Sequence, residues 1–159
     1  MNQAGNISFS YKAFCFLSFD LQKFIFLRSI IFVRGSSYGP STKGLTFAIK
    51  QILSDSPTTT LGGCLIVRKR EKIKIYREIG RFFQPRINVP LKPVEWDQRF
   101  QICGNHKIEE NYYISALKIE GWKQICSESG SFADKFIEDK LAFFTLPALW
   151  KSGKVVALP

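Results

Sequence analysis

Basic side chains are the residues in this sequence whose type and spacing best fit a chemical task, and that task is phosphate binding. Residues 1–65 hold six Lys/Arg and two Asp/Glu, residues 66–100 hold ten and four, and residues 101–159 hold seven of each. The net charge of +10 therefore lies before residue 101. Concentrated positive charge binds polyanions by neutralising phosphates and releasing counterions. The candidate phosphate-binding residues are Arg68, Lys69, Arg70, Lys72, Lys74, Arg77, Arg81, Arg86 and Arg99.

Residues suited to catalysis or metal binding are few. His106 is the single histidine, and Cys103-Gly-Asn-His106 supplies only half of a zinc-binding pattern. The four cysteines form no Cys-x-x-Cys pair, which is typical of reduced thiols in a cytoplasmic protein. Glu109 and Glu110 have no acid–base partner at a defined spacing. No glycine-rich nucleotide loop occurs, so the sequence predicts no catalytic residue, no metal site and no cofactor in this chain.

The densest basic segment, Thr60–Glu78, has the pattern of a β-hairpin. Apolar residues 65–67 predict a first strand, residues 70–72 a polar turn, and residues 73–78 a second strand with alternating character. That alternation predicts one apolar face and one charged face. Gly62-Gly63 permits positive φ angles or close approach of another segment. A second interpretation stays open: an edge hairpin whose charges only discourage aggregation.

The N-terminal third predicts a helical hairpin. Residues 1–13 look loose and lack a signal peptide pattern. Phe14–Val33 is very apolar, but three charged residues interrupt it, which favours a helix of a soluble protein over a membrane span. We expect Asp20 to cap this helix and Leu21, Phe24, Ile25, Leu27, Ile31 and Phe32 to form its apolar stripe. A break at residues 35–40 precedes a second amphipathic helix carrying Leu45, Ala48, Ile49, Ile52 and Leu53.

The C-terminal part reads as mainly β. Residues 94–103 predict one strand with Trp96 and Phe100 toward the core and Asp97 and Arg99 toward solvent, although an aromatic beside a basic residue also suits RNA. Residues 112–119 predict a strand ending at Gly121, and residues 131–143 a helix. The pairs Ala148–Trp150 and Val155–Leu158 predict a hairpin across residues 151–154. The fold class expected is α+β, with a loose segment 1–13, a helical piece 14–57 and a β-rich domain 58–159.

Five motifs follow one another along the chain. They are Cys15-Phe-Leu-Ser-Phe-Asp-Leu-Gln22, Gly35-x-x-Tyr-Gly-Pro40, Thr60-Leu-Gly-Gly-Cys64 with Arg77-Glu78, Trp96-Asp-x-Arg-Phe100, and Leu146-Pro-Ala-Leu-Trp-x-x-Gly-x-Val-Val-Ala-Leu-Pro159. In this order they resemble the C-terminal half of bacterial tRNA(Ile)-lysidine synthase in its α-proteobacterial form. The order is more specific than any single motif, and the resemblance covers residues 14–159.

The resemblance implies a role in tRNA modification. That family uses ATP and Mg²⁺ to attach lysine to C2 of the wobble cytidine of an isoleucine tRNA. Its activity belongs to an N-terminal pyrophosphatase-loop domain with a Ser-Gly-Gly-x-Asp-Ser signature, which nothing in this sequence matches. Residues 14–57 would correspond to the central substrate-binding region and residues 58–159 to the C-terminal tRNA-binding region. The resemblance thus implies a cytoplasmic tRNA-binding portion without activity of its own.

Three interpretations stay open at this level. The chain is a truncated synthase, a tRNA-binding subunit that works with a separately encoded catalytic domain, or an unrelated basic protein that binds RNA or a membrane surface through Phe14–Val33. An exposed face on that apolar segment predicts poor solubility of the isolated chain.

Overall fold

The computed structural model describes residues 5–55, 57–81, 85–104, 111–128 and 137–158, apart from the side chains of Arg81 and Ile137. These ranges contain five α-helices and ten strands, and every strand pairs antiparallel with its neighbours. This confirms the α+β class. The chain divides into two units, residues 1–81 and residues 82–159. The basic hairpin folds with the N-terminal helices in the first unit, so this division falls later in the chain than the boundary expected at residues 57–58.

The first unit packs three helices on one four-stranded sheet. Its strand order is β1-β4-β3-β2, with every neighbouring pair antiparallel. The elements are β1 (Ile7–Ser10), α1 (Tyr11–Cys15), α2 (Phe19–Arg34), α3 (Thr42–Leu53), β2 (Thr58–Leu61), β3 (Cys64–Lys69) and β4 (Lys72–Arg77). Buried side chains of α2 and α3 meet one sheet face in a single core, which includes Phe26, Ile30, Ile49, Ile52, Ile66, Ile73 and Ile75.

The start of the chain is not loose over residues 5–13. Strand β1 pairs with β4, and Ile7 and Phe9 pack half-buried against the core. Ser10 then caps α1 by accepting a hydrogen bond from the Ala13 N–H at 3.2 Å. The alternation of Ile7 and Phe9 with two serines is a period-two signal that predicts this strand.

Helix α2 differs from its sequence prediction at its start and in its orientation. Ser18, not Asp20, is the N-cap, and Gly35 ends the helix with φ of 72°. The face toward the core carries Gln22, Phe26, Ser29, Ile30 and Val33. The buried side-chain amide of Gln22 has a hydrogen-bond partner, because it donates to the Phe14 carbonyl at 2.9 Å. No helix in the described part of the chain is long and apolar enough to cross a membrane.

The predicted basic hairpin is confirmed, with a shorter turn. Strands β3 and β4 pair in register from Cys64 opposite Arg77 to Lys69 opposite Lys72. The glycine pair forms the preceding turn between β2 and β3, where Gly62 and Gly63 have φ of 59° and 77°. Both positive angles match the type of two-residue turn that suits a twisted hairpin. The sequence prediction of positive φ at these glycines is therefore correct.

The second unit is built on another antiparallel sheet of order β10-β9-β8-β5, with a separate hairpin of β6 and β7. Its core includes Trp96, Ile114 and Ala116. The elements are β5 (Ile87–Asn88), β6 (Val94–Trp96), β7 (Phe100–Ile102), β8 (Tyr112–Ala116), α4 (Lys118–Glu128), α5 (Lys140–Phe143), β9 (Pro147–Lys151) and β10 (Lys154–Ala157).

Two sequence predictions in this unit are wrong. Residues 94–103 form a hairpin instead of one strand, because Asp97 and Gln98 have φ of 50° and 56° and reverse the chain. Residues 118–128 form a helix, so Gly121 lies inside it and does not end a strand. A Cβ at Gly121 would lie 3.0 Å from the Trp150 ring, which shows that the helix packs closely on β9.

The C-terminal hairpin is confirmed. Its turn is the pair Ser152–Gly153, with φ of 48° and 81°, inside the four residues expected. The Gln124 side chain on α4 holds this turn by donating to the Gly153 carbonyl and accepting from the Val155 N–H. Of the helix predicted at residues 131–143, residues 131–136 lie outside the described part. A 3₁₀ turn at Ile137–Asp139 and helix α5 occupy the rest.

Candidate nucleic-acid interface

The β3–β4 turn concentrates exposed positive charge at one end of the first sheet. Lys69, Arg70 and Lys72 are all exposed there. The Tyr11 N–H donates to the Glu71 carbonyl at 2.9 Å, which brings the start of α1 to the same turn. The exposed Lys12 is the next residue along α1. We call Lys12, Lys69, Arg70 and Lys72 the basic tip.

The geometry of the basic tip is unfavourable for the isolated fold. Lys69 and Lys72 lie directly opposite each other, and like charges at such a pair destabilise a hairpin. Arg70 has φ of 54°, a region that side chains other than glycine enter at a cost of about 1 kcal/mol. Glu71 supplies the single negative charge within the turn. A bound polyanion would relieve the repulsion between the two lysines.

Arg68 was also a candidate, but it serves to fasten the first unit together. Its guanidinium donates to the Tyr11 hydroxyl at 2.9 Å and to the Ser54 carbonyl at 2.7 Å. Its Cζ atom also lies 4.7 Å from the centre of the Tyr11 ring. These contacts join β3 to α1 and to the end of α3.

Lys74 and Arg77, two further candidates on the hairpin, do not lie on an open charged face. Lys74 is 7% exposed, and its neighbour Tyr76 is 2% exposed. Arg77 donates to the Gly63 carbonyl at 2.7 Å, and the Glu78 N–H donates to that same carbonyl at 2.9 Å. A uniformly charged outer face of β4 is therefore a wrong expectation, because Lys74 and Tyr76 are both buried.

Arg99 is a structural residue of the second unit, not a solvent-facing one. Its Nε lies 2.8 Å from Asp97 Oδ2, and the two side chains are only 6% and 10% exposed. Its Nη2 donates to Thr145 Oγ1 at 3.0 Å and to the Thr145 carbonyl at 3.3 Å. The adjacent Trp96 is fully buried, and its indole N–H reaches that carbonyl at 3.4 Å. The expectation that Trp96 faces the core is correct, whereas solvent exposure of Asp97 and Arg99 is wrong.

Arg86 stays exposed and stacks on an aromatic ladder. Its Cζ atom is 3.4 Å from the centre of the Tyr113 ring. Tyr113 in turn is nearly parallel to Trp150, at 8° and 6.3 Å between ring centres. RNA bases can stack on arginine guanidinium groups, so an exposed arginine fixed over an aromatic ring is suited to such a contact. The Arg81 side chain, the remaining candidate, lies outside the described part.

Most of the residues considered for catalysis or metal binding lie outside the described part of the chain. His106, Glu109 and Glu110 fall outside the described residues, and no three metal-binding side chains come together among those described. None of the four cysteines forms a disulfide. An apolar cleft of about 330 Å³ in the second unit is lined by the Cys103 thiol and by ten residues without charge. It offers no acid–base pair.

Comparison with known proteins places these residues in a family context. No family model matches the chain, and no solved structure does. A tRNA(Ile)-lysidine synthase of Orientia tsutsugamushi is 35% identical over 130 residues, 76% of this chain and 29% of that protein. The synthase of Wolbachia pipientis wMel is 28% identical over 168 residues, all of this chain and 36% of that protein. The synthase of Rickettsia bellii RML369-C is 36% identical over 103 residues, 63% of this chain and 24% of that protein.

These matches confirm the resemblance inferred from the five motifs. The chain spans between a quarter and about a third of the length of the curated relatives it matches. It is a relative of the tRNA(Ile)-lysidine synthases, similar to them along that part of their length.

Proposed function

We propose that this chain is a tRNA-binding portion of a tRNA(Ile)-lysidine synthase and that the basic tip contacts the phosphates of the tRNA. In this proposal the chain corresponds to the C-terminal part of the enzyme. It holds an isoleucine tRNA while another domain uses ATP and Mg²⁺ to attach lysine to the wobble cytidine. The chain alone is inactive.

One observation carries the proposal: Lys69 opposite Lys72, with Arg70 at positive φ between them. Both features cost folding energy, and all three side chains are exposed. Local strain and repulsion of this kind concentrate at functional sites. RNA supplies one phosphate charge per nucleotide, which compensates the repulsion.

Arg68 supports the tip indirectly. By fixing Tyr11, it holds the start of α1, and thus Lys12, beside the hairpin turn. The tip is therefore a preorganised cluster from two elements, not one flexible loop. Preorganisation lowers the entropic cost of binding.

The test compares two triple variants of the full chain. One is Lys69→Ala, Arg70→Ala, Lys72→Ala. The matched control, Lys123→Ala, Lys140→Ala, Lys154→Ala, removes the same charge from exposed positions in the second unit. Affinity for an isoleucine tRNA is measured at several salt concentrations.

The tip variant is expected to bind more weakly and to reduce the slope of log affinity against log salt by about 2 to 3, close to one unit for each lost phosphate contact. The control is expected to change the slope by less than about 1. Equal slopes for the two variants would refute the role of the tip.

A further inference from the structure

Helix α2 carries a stripe of large apolar side chains on the side away from its core. Leu21, Phe24 and Phe32 are 43%, 57% and 46% exposed. With Arg28 they recur at i, i+3, i+7 and i+11, which places them along one line of the helix. The core-facing set lies on the opposite side. We call Leu21, Phe24, Arg28 and Phe32 the outer stripe.

A helix that is apolar on both sides is typical of the interior of a larger protein. Taking 150–250 Å² for each large side chain, the three apolar members leave roughly 300 Å² in water. That matches the largest patches on monomers, which are often functional. Phe16, at the end of α1, is another exposed apolar residue, with 81% of its surface in water.

The polar groups of the stripe distinguish between possible occupants. Arg28 lies in the stripe, and the Asp20–Lys23 ion pair lies near its start with the Asp20 side chain 91% exposed. Phenylalanine with arginine inside a rim of mixed charge is the composition of a protein interface. Two copies of α2 packed about a twofold axis would bring their near-central Arg28 residues together, which is unfavourable. An exposed carboxylate also disfavours an anionic lipid surface.

We propose that the outer stripe packs against the part of a tRNA(Ile)-lysidine synthase that lies outside the segment this chain matches. The relatives are about three to four times as long as the matched segment, so α2 has a large further body available to cover it. This inference rests on the proposed function. It adds a docking surface distinct from the basic tip.

The test mixes the full chain with a separately produced polypeptide, the Wolbachia pipientis wMel synthase without its matched segment. Sedimentation velocity and titration calorimetry measure complex formation. A one-to-one complex is expected. Phe24→Ser with Phe32→Ser is expected to weaken it at least tenfold, and Leu21→Ser alone to weaken it less. The control is Tyr38→Ser with Val156→Ser, which removes two exposed side chains outside α2.

Three results would overturn the inference. The first is that the native chain forms no complex. The second is that the control and the stripe variants weaken the complex equally. The third is that the stripe variants leave the complex unchanged and instead reduce self-association or binding to phosphatidylglycerol vesicles. The tRNA assay separates this inference from the proposed function. Stripe variants are expected to retain tRNA affinity, and the triple variant of the basic tip to retain the complex.

Discussion

Replacing Arg99 by methionine tests whether the Trp-Asp-x-Arg-Phe motif stabilises the fold or binds RNA. Methionine fills a similar volume and removes the guanidinium. The Asp97 carboxylate would lose the contact at 2.8 Å in a site where its side chain is 10% exposed, and Thr145 would lose two hydrogen bonds. Breaking a buried ion pair by removing one partner costs about 3–5 kcal/mol. Since domains are stable by only about 5–15 kcal/mol, the second unit would lose a large share of its stability.

Tryptophan fluorescence during urea unfolding is the appropriate assay. All three tryptophans, at positions 96, 122 and 150, belong to the second unit, so the signal reports that unit. Adding Asp97→Asn to Arg99→Met is expected to restore much of the loss, because no uncompensated charge remains. Exposed Lys92→Met is the control. A loss below about 0.5 kcal/mol together with a tenfold weaker tRNA affinity would refute this reasoning and return Arg99 to the RNA interface.

Three smaller changes test other parts of the account. Arg70→Gly is expected to stabilise the first unit by about 0.5–1 kcal/mol, because it removes the backbone strain of φ at 54°. The same variant is expected to bind tRNA more weakly. Thermal unfolding followed by circular dichroism and a tRNA titration measure the two effects, and a less stable variant would show that Arg70 is not strained. Gly63→Ala is expected to lower the melting temperature, because φ is 77° and a Cβ would lie 2.7 Å from Arg77 Nη1; an unchanged melt would contradict it. Lys23 lowers the pKa of Asp20 below the ordinary 3.8 by its hydrogen bond and charge. The pair therefore stabilises the fold above about pH 3.8, and that contribution is lost as the pH falls through the lowered pKa. Carboxyl NMR is expected to return the pKa toward 3.8 in Lys23→Met, and no shift would refute the contact.

Local patterns predicted the β3–β4 and β9–β10 hairpins and the fold class because their cause is local. The Gly62-Gly63 pair adopts the positive φ angles that glycine permits, and the basic segment follows period-two alternation. The β-strand at Ile7–Ser10 had the same signal, but only four residues carry it. Its pairing with β4, 62 to 68 residues further along the chain, is a tertiary feature that a window of sequence does not contain.

Burial of the basic candidates could not be predicted from their spacing. Lys74 and Arg99 are typical of solvent positions by residue type, and their burial depends on partners such as Thr145, forty-six residues from Arg99. The prediction of which face of α2 meets the core failed for a related reason. Its sequence is apolar on both sides, so composition could not decide whether Phe24 or Phe26 faces the core. Lys12 was missed because long-range contacts of the adjacent Tyr11, with the Glu71 carbonyl and the Arg68 guanidinium, bring it to the tip.

Amide chemical shifts of the full chain, recorded during titration with an isoleucine tRNA, show directly whether the basic tip binds tRNA. The largest changes are expected at Lys69, Arg70 and Lys72 and to extend to Lys12, and they are expected to fade as salt is raised. The outer stripe of α2 is expected to change little. Changes confined to the second unit, or none at the basic tip under saturating tRNA, would show that the tip does not bind tRNA.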